Sequence, residues 1–374
     1  MKILKVFLCF CLLASTASLF AQGKKTGEEK LTDYKNFDFV PGEKTLFFDD
    51  FSKGFAQWDR ITWDEWEESD KGSVTTSSVA PGNWFYMPRK GTARPKGLGT
   101  LPNQFTLEYD LFIDEKANEH EGGVLNIFVR EKGLDISQYS YHFSDVPQIH
   151  VDIHPSGDML DLGVWREEGY TKGINEGRRI FKDLKEGYWK INQVYRVSIS
   201  RNGSHIKAYI NQDKVIDLPN ALPPNENYAF LLCSNFNGAG FYVSNVRMAT
   251  GVPQPAKDLK EKKLYITQNI RFATNSDKIA ANSYPTLSQV AQAIKSLEGK
   301  IQIVGHTDSD GNADKNLELS QKRAAAVKNA LVKEFGIDAA RLETDGKGQS
   351  KPIDSNDTPQ GKANNRRVEF VVLP

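Results

Sequence analysis

Asp308 and Arg323 are the two side chains in this sequence best placed to act together. Asp308 follows a short strand-like run, Lys300 to Val304, in which Ile301 and Ile303 turn toward a core. Thr307 and Asp308 therefore sit at a strand end, where a loop exposes them. Asn316, Ser320 and Arg323 fall at i, i+4 and i+7, which is one face of a helix. A carboxylate and a guanidinium held side by side can bind a zwitterion. The carboxylate takes the ammonium, and the planar guanidinium takes the carboxylate through two parallel bonds. A free amino-acid end on a cross-linking peptide carries that pair of charges. The alternative use of the same two residues is a structural salt bridge.

Other residues could do chemistry, and each has a plainer use. His150, Asp152 and His154 alternate with Ile149, Val151 and Ile153, so they share one strand face about 7 Å apart. That face suits either a metal or solvent, and the expectation is solvent. The acid-dense stretch Asp64-Glu65-Trp66-Glu67-Glu68-Ser69-Asp70 has the oxygen donors calcium prefers, and a solvated loop is the expectation. Trp63, Trp66 and Trp84 could stack on sugar rings or pack in a core. His306 has no neighbouring nucleophile, so a packed or capping role is expected rather than catalysis. No metal or cofactor is expected.

These residues must be positioned by a chain of 374 residues, long enough for two domains. A hydrophobic content of 39% supplies real cores and excludes a wholly disordered chain. Lys and Arg number 48 and so do Asp and Glu, which gives no support to nucleic-acid binding. Residues 1–21 read as a secretory signal: Lys2 and Lys5, then the apolar run Val6 to Leu13, then Ala14 to Ser18, with Ala21 before the cut. Cys9 and Cys11 leave with it, so Cys233 has no partner for an intramolecular disulfide.

From 36 to 250 the pattern is strand-like. Phe105, Leu107, Tyr109, Leu111 and Ile113 alternate with Thr106, Glu108 and Asp110, which reads as a half-buried strand whose polar outer face meets solvent. Val197 and Ile199 lead into Asn202-Gly203, a hairpin signal, and Ile206, Ala208 and Ile210 resume the alternation. Residues 251–263 contain two prolines and a charge run and read as a linker. From 264 to 374 the grammar becomes mixed. Ile270 to Phe272, Lys300 to Val304 and Val368 to Leu373 read as strands. Leu287, Val290, Ala291, Ile294 and Leu297 mark one amphipathic helix, and Leu317, Ala324, Val327, Leu331 and Phe335 a second.

Several motifs in this last segment occur in a telling order: Ile270-Arg271-Phe272, Gly305-His306-Thr307-Asp308, Asn316 to Ser320 with Arg323-Ala324, Gly346-Lys347-Gly348, and Asn365-Arg366-Arg367-Val368. Together they resemble the OmpA-like peptidoglycan-binding domain. The resemblance implies an α/β fold, a mixed sheet packed on two main helices, and a non-catalytic hold on peptidoglycan. In that family an Asp–Arg pair grips the diaminopimelate side chain of the stem peptide. Carried over, the pair is Asp308 and Arg323, with Asn275, Thr307, Asn316 and Arg366 in supporting positions. Adjacent Arg366 and Arg367 cannot both face the site on a strand, so Arg366 is the expected ligand residue and Arg367 a structural one.

The first domain resembles a concanavalin A-like or laminin-G-like jelly-roll sandwich, through Phe47-Phe48-Asp49-Asp50-Phe51-Ser52 with Trp58, and Phe241 to Val246. The resemblance implies a binding module whose partner is a glycan or an envelope protein. Two alternatives stand beside it. One is a glycoside hydrolase, but its carboxylate strand motif is incomplete, since Glu108 and Asp110 lack a third acid at Phe112 or Ile113. The other is an outer-membrane β-barrel, which the short charged hairpin Arg196 to Ile210 disfavours. The expectation is an exported, multidomain, non-enzymatic protein at the periplasmic face of the outer membrane or in the periplasm.

Overall fold

A computed structural model describes residues 37–62, 72–77, 80–86, 91–114, 122–130, 148–153, 162–166, 180–181, 190–221, 228–236 and 241–374. The signal segment 1–21, Trp63, Trp66, the acid-dense stretch and His154 lie outside the described residues.

The first body carries fifteen strands among the described residues. They are β1 (Lys44–Asp49), β2 (Trp58–Thr62), β3 (Ser73–Thr76), β4 (Asn83–Tyr86), β5 (Gly91–Pro95), β6 (Gln104–Ile113), β7 (Gly122–Arg130), β8 (Gln148–Ile153), β9 (Leu162–Arg166), β10 (Ile180–Phe181), β11 (Gln193–Asn202), β12 (His205–Ile210), β13 (Asp213–Leu218), β14 (Tyr228–Phe236) and β15 (Phe241–Thr250). One antiparallel sheet runs β13-β12-β11-β6-β15-β4-β3, with β1 also paired to β15. A second runs β10-β9-β8-β7-β14-β5-β2. A single core draws on both: Leu107, Tyr109, Val197 and Met248 from the first sheet, Trp58, Phe230 and Leu232 from the second. Each such side chain contributes about 1.5–3 kcal/mol on burial. Two sheets closed on an apolar core differ from the single barrel held as an alternative.

The hairpin lies where the sequence placed it, one residue along. Asn202 pairs with His205, so Gly203 and Ser204 form the loop, and Gly203 takes φ +63. Trp84 is a core residue: it is buried, and its indole N–H donates to the Ala80 carbonyl at 2.7 Å. The buried Asp49 receives the Trp58 indole N–H at 2.9 Å and the Phe51 amide at 2.8 Å.

The polar face of β6 departs from expectation. Thr106 and Glu108 are not in solvent but 7% and 1% exposed. The Gly42 amide donates to Thr106 Oγ1, and Arg247 donates to the Gly42 carbonyl, so the segment leading into β1 covers one part. The second domain covers the rest.

The stretch 251–263, expected as a linker, holds a helix, α1 (Pro255–Glu261), whose Leu259 is fully buried in the C-terminal core. With seven residues it offers too few core contacts to show a period, and Pro255 at its start reads from sequence as a breaker. The domain continues with β16 (Leu264–Thr267), α2 (Tyr284–Lys295), β17 (Ile301–His306), α3 (Ala313–Lys333), β18 (Leu342–Gly348), α4 (Pro359–Asn365) and β19 (Val368–Val372). Its sheet order is β16-β19-β17-β18, with β17 and β18 parallel and α3 as their crossover. Leu287, Val290 and Ile294 of α2 and Ala324, Val327 and Leu331 of α3 pack on Ile301, Ile303 and Phe370. Two details differ from the sequence reading. Ile270 to Phe272 makes only a single bridge, Phe272 to Ile279, and Leu317 is 42% exposed rather than on the packed face.

Candidate functional site: a cleft between the two bodies

The site is built where α3 presses onto the sheet, and glycine makes that approach possible. A Cβ on Gly305 would stand 2.3 Å from the Ser320 carbonyl oxygen, and one on Gly346 would stand 2.5 Å from Ser320 Oγ. Neither distance is compatible with a side chain. The fully buried Ser320 donates to the Leu317 carbonyl at 2.7 Å and accepts the Gly348 amide at 2.9 Å. The ends of β17 and β18 are thereby fixed against α3, and Asp308 and Arg323 are fixed relative to each other.

Asp308 sits just past β17 and is 8% exposed. Its Oδ2 accepts from Arg366 Nη1 at 2.5 Å, and its Oδ1 accepts the Asp310 amide at 3.1 Å. Asn316 holds the loop that follows, donating to the Asp310 carbonyl at 2.9 Å and to Gln349 Oε1 at 2.7 Å. Thr307 turns its hydroxyl onto the Asp308 carbonyl at 2.8 Å. Arg323 reaches across to the 272–279 turn, where its Nε donates to the Ser276 carbonyl at 3.0 Å and its guanidinium lies 4.9 Å from the Phe272 ring. Asn275 occupies that turn, exposed, at φ +52. Burial, with Arg366 nearby, lowers the Arg323 pKa, and the Asp308 charge opposes that fall. Arginine so placed stays protonated at neutral pH.

All six residues singled out from sequence, Asn275, Thr307, Asp308, Asn316, Arg323 and Arg366, line one cleft of about 700 Å³. Asp308 and Arg323 do not pair with each other: among the described residues no ion pair joins them, and Asp308 takes Arg366 instead. The two neighbouring arginines lie between α4 and β19 rather than on a strand, and only Arg366 reaches Asp308. Arg367 is buried and bonded to Glu369 at 2.8 Å and to the Lys351 carbonyl at 3.0 Å. His306 is buried with Nε2 3.4 Å from Glu369 Oε1, in a geometry that makes no hydrogen bond.

The opposite wall of the cleft comes from the first body, and sequence reasoning missed it. Thr45, Phe48, Asp50, Asp110, Arg196 and Asn245 all line it. An available signal was Phe48, an aromatic residue on the face of β1 opposite the core residue Phe47. Beneath this wall lies an ionic cluster. Glu108 accepts from Arg271 of the second domain at 2.7 Å, from Arg196 at 3.2 Å and from Arg247 at 3.3 Å. Asp110 accepts from Arg196 at 2.9 Å and from Asn245 at 2.7 Å. Burial alone would raise the Glu108 pKa, but the three guanidiniums overcome it and hold the carboxyl down at about 2. A carboxylate locked this way is neither a free acid nor a free base. Of the two acids weighed as hydrolase candidates, Glu108 ties the bodies together through Arg271, and Asp110 is held by Arg196 and Asn245 within the first body. Asn269 adds a second tie, donating to the Pro41 carbonyl at 2.9 Å. Among the described residues no group of three His, Cys, Asp or Glu is gathered for a metal.

Known proteins resemble the C-terminal third that carries Asp308 and Arg323. The OmpA family profile matches residues 271–366. The probable lipoprotein YiaD of Escherichia coli is 40% identical over 112 residues, which is 30% of this chain and 51% of that protein. Outer membrane protein A of Bordetella avium is 38% identical over 137 residues, 33% of this chain and 70% of that protein. The solved cell wall anchor of the T6SS from Pseudomonas aeruginosa is 28% identical, covering 32% of this chain and 92% of that one, with a TM-score of 0.27. The chain thus spans about half of the first of these curated relatives. Through its C-terminal domain, which supplies Asp308, Arg323 and the loop between them, the chain belongs to the OmpA family.

Proposed function

We propose that this protein is a non-catalytic envelope protein that attaches to peptidoglycan through its C-terminal domain. The ligand group is the diaminopimelate of a stem peptide, its ammonium on Asp308 and its carboxylate on Arg323. The observation that carries this reading is the cleft itself. It gathers the six residues around a carboxylate and a guanidinium that are not spent on each other. Arg366 neutralises Asp308 at 2.5 Å and orients it, and Asn316 fixes the loop. Asn275 and Thr307 complete the rim. The relatives named as an outer membrane protein and a probable lipoprotein support an envelope setting. Export through the 1–21 signal would place the chain in the periplasm or at the inner face of the outer membrane. The first body, in this reading, is a concanavalin A-like sandwich that the anchor holds at the wall to bind a glycan or an envelope protein. Co-sedimentation with purified peptidoglycan tests the anchor. Asp308→Ala and Arg323→Ala should each abolish pelleting while the thermal transition persists. Wild-type pelleting by a folded double variant would refute it. A glycan array probed with the full chain tests the first body.

A further inference from the structure

Side chains of a strand alternate between its two faces. Phe47 of β1 enters the core between the sheets, so Phe48 points away from it. Phe48 is nevertheless only 7% exposed, and the Arg366 guanidinium lies 5.9 Å from its ring. Its cover is the C-terminal domain. Thr45 on β1 and Asp50 just beyond it line the same cleft as Asp308 and Arg323, as do Arg196 and Asn245. At about 700 Å³ the space is of the size that encloses a multi-residue ligand rather than one amino-acid end. Its walls carry six arginines against four aspartates, so positive charge is in excess even with Glu108 behind them. Among the described residues the Arg271 side chain makes one hydrogen bond, to Glu108, and that of Arg323 makes one, to Ser276. Each has guanidinium N–H groups left for a ligand.

We infer that the first body is part of the ligand site. Thr45, Phe48 and Asp50 form its second wall, and the ligand is an anionic peptide whose zwitterionic end rests on Asp308 and Arg323 and whose further carboxylates run past Arg271 toward Arg196. This rests on the function proposed above and extends it: recognition spans several peptide residues, and both bodies grip the ligand. The clamp of Glu108 on Arg271 is what keeps the second wall in place.

Isothermal titration of the full chain tests this with two probes: diaminopimelic acid alone, and a tripeptide in which alanine and glutamate precede diaminopimelate. The wild-type chain should bind the tripeptide at least about tenfold more tightly, the value of one charge-assisted contact. Thr45→Trp, which fills the cleft from the first body's side, should remove that advantage. Asp50→Lys should increase the advantage by adding positive charge. Both positions are half-buried on the cleft wall and outside the core, so the fold should hold. Equal affinity of the wild-type chain for the two probes, or tripeptide binding unaltered in both variants, would overturn the shared site. Failure of the anchor reads differently: neither probe binds, or Asp308→Ala binds both as well as wild type.

Discussion

Replacing Glu108 by Gln should loosen the two bodies from each other. Glu108 is 1% exposed and surrounded by Arg196, Arg247 and Arg271. Its carboxyl is held at about 2 against an ordinary value of 4.5. At about 1.4 kcal/mol per pH unit, that difference is worth about 3 kcal/mol to the folded state at neutral pH. Breaking a buried ion pair from one side costs about 3–5 kcal/mol by a separate route, because the partners are left buried and unpaired. Gln keeps the shape and one acceptor but leaves three guanidiniums facing each other. Of these, Arg247 is already drawn down to about 10 by burial, with Arg271 beside it. The sign follows from the lowered pKa. The folded state binds the Glu108 proton more weakly than the unfolded state does, so the stabilisation is complete above about pH 4.5 and is lost as pH falls toward 2. Urea unfolding of wild type and Glu108→Gln at pH 7 and at pH 3 checks this. A loss of about 3 kcal/mol at pH 7 that shrinks at pH 3 is expected. A loss under 1 kcal/mol at pH 7, or one equal at both pH values, would refute the clamp.

Asp49 should titrate the other way: burial pushes it up to about 6, so its folded form takes up a proton as pH falls from about 6 to 4 and gains stability there, which carbon NMR of its carboxyl can follow. Gly305→Ala should cost about 1–3 kcal/mol and weaken peptidoglycan pelleting, because its Cβ would stand 2.3 Å from the Ser320 carbonyl and push α3 from β17; an unchanged melting temperature would contradict the packing argument. Leu259→Ala should cost about 2–5 kcal/mol, and limited proteolysis of the native chain should spare 255–261 while the C-terminal core is folded. Early cutting there would mean that α1 does not pack as described.

Much of the C-terminal domain and its site was legible in the chain because its signals are local. The helical spacing of Leu287, Val290 and Ile294, the strand around Ile301 and Ile303, and the glycine-bearing motifs each report on neighbours within a few residues. The alternation from Phe105 to Ile113 was equally readable, since a half-buried strand writes its two faces into every second position. What alternation leaves open is the medium that a polar face meets. Thr106, Glu108 and Asp110 read as solvent-facing, and a buried ionic face with matched charges has the same sequence pattern. The three arginines that answer Glu108 lie at 196, 247 and 271, and only the pairing of β6 with β11 and β15 and the docking of the second domain bring them within reach. The same holds for α1, where two helical turns give no period, and for the cleft. Asp308, Arg323 and Arg366 were marked by their motifs, whereas Phe48 and Asp50 join them only through the contact between two bodies far apart along the chain. That Asp308 takes Arg366 rather than Arg323 was also a tertiary outcome, since the reach of Arg323 toward Ser276 sets it aside.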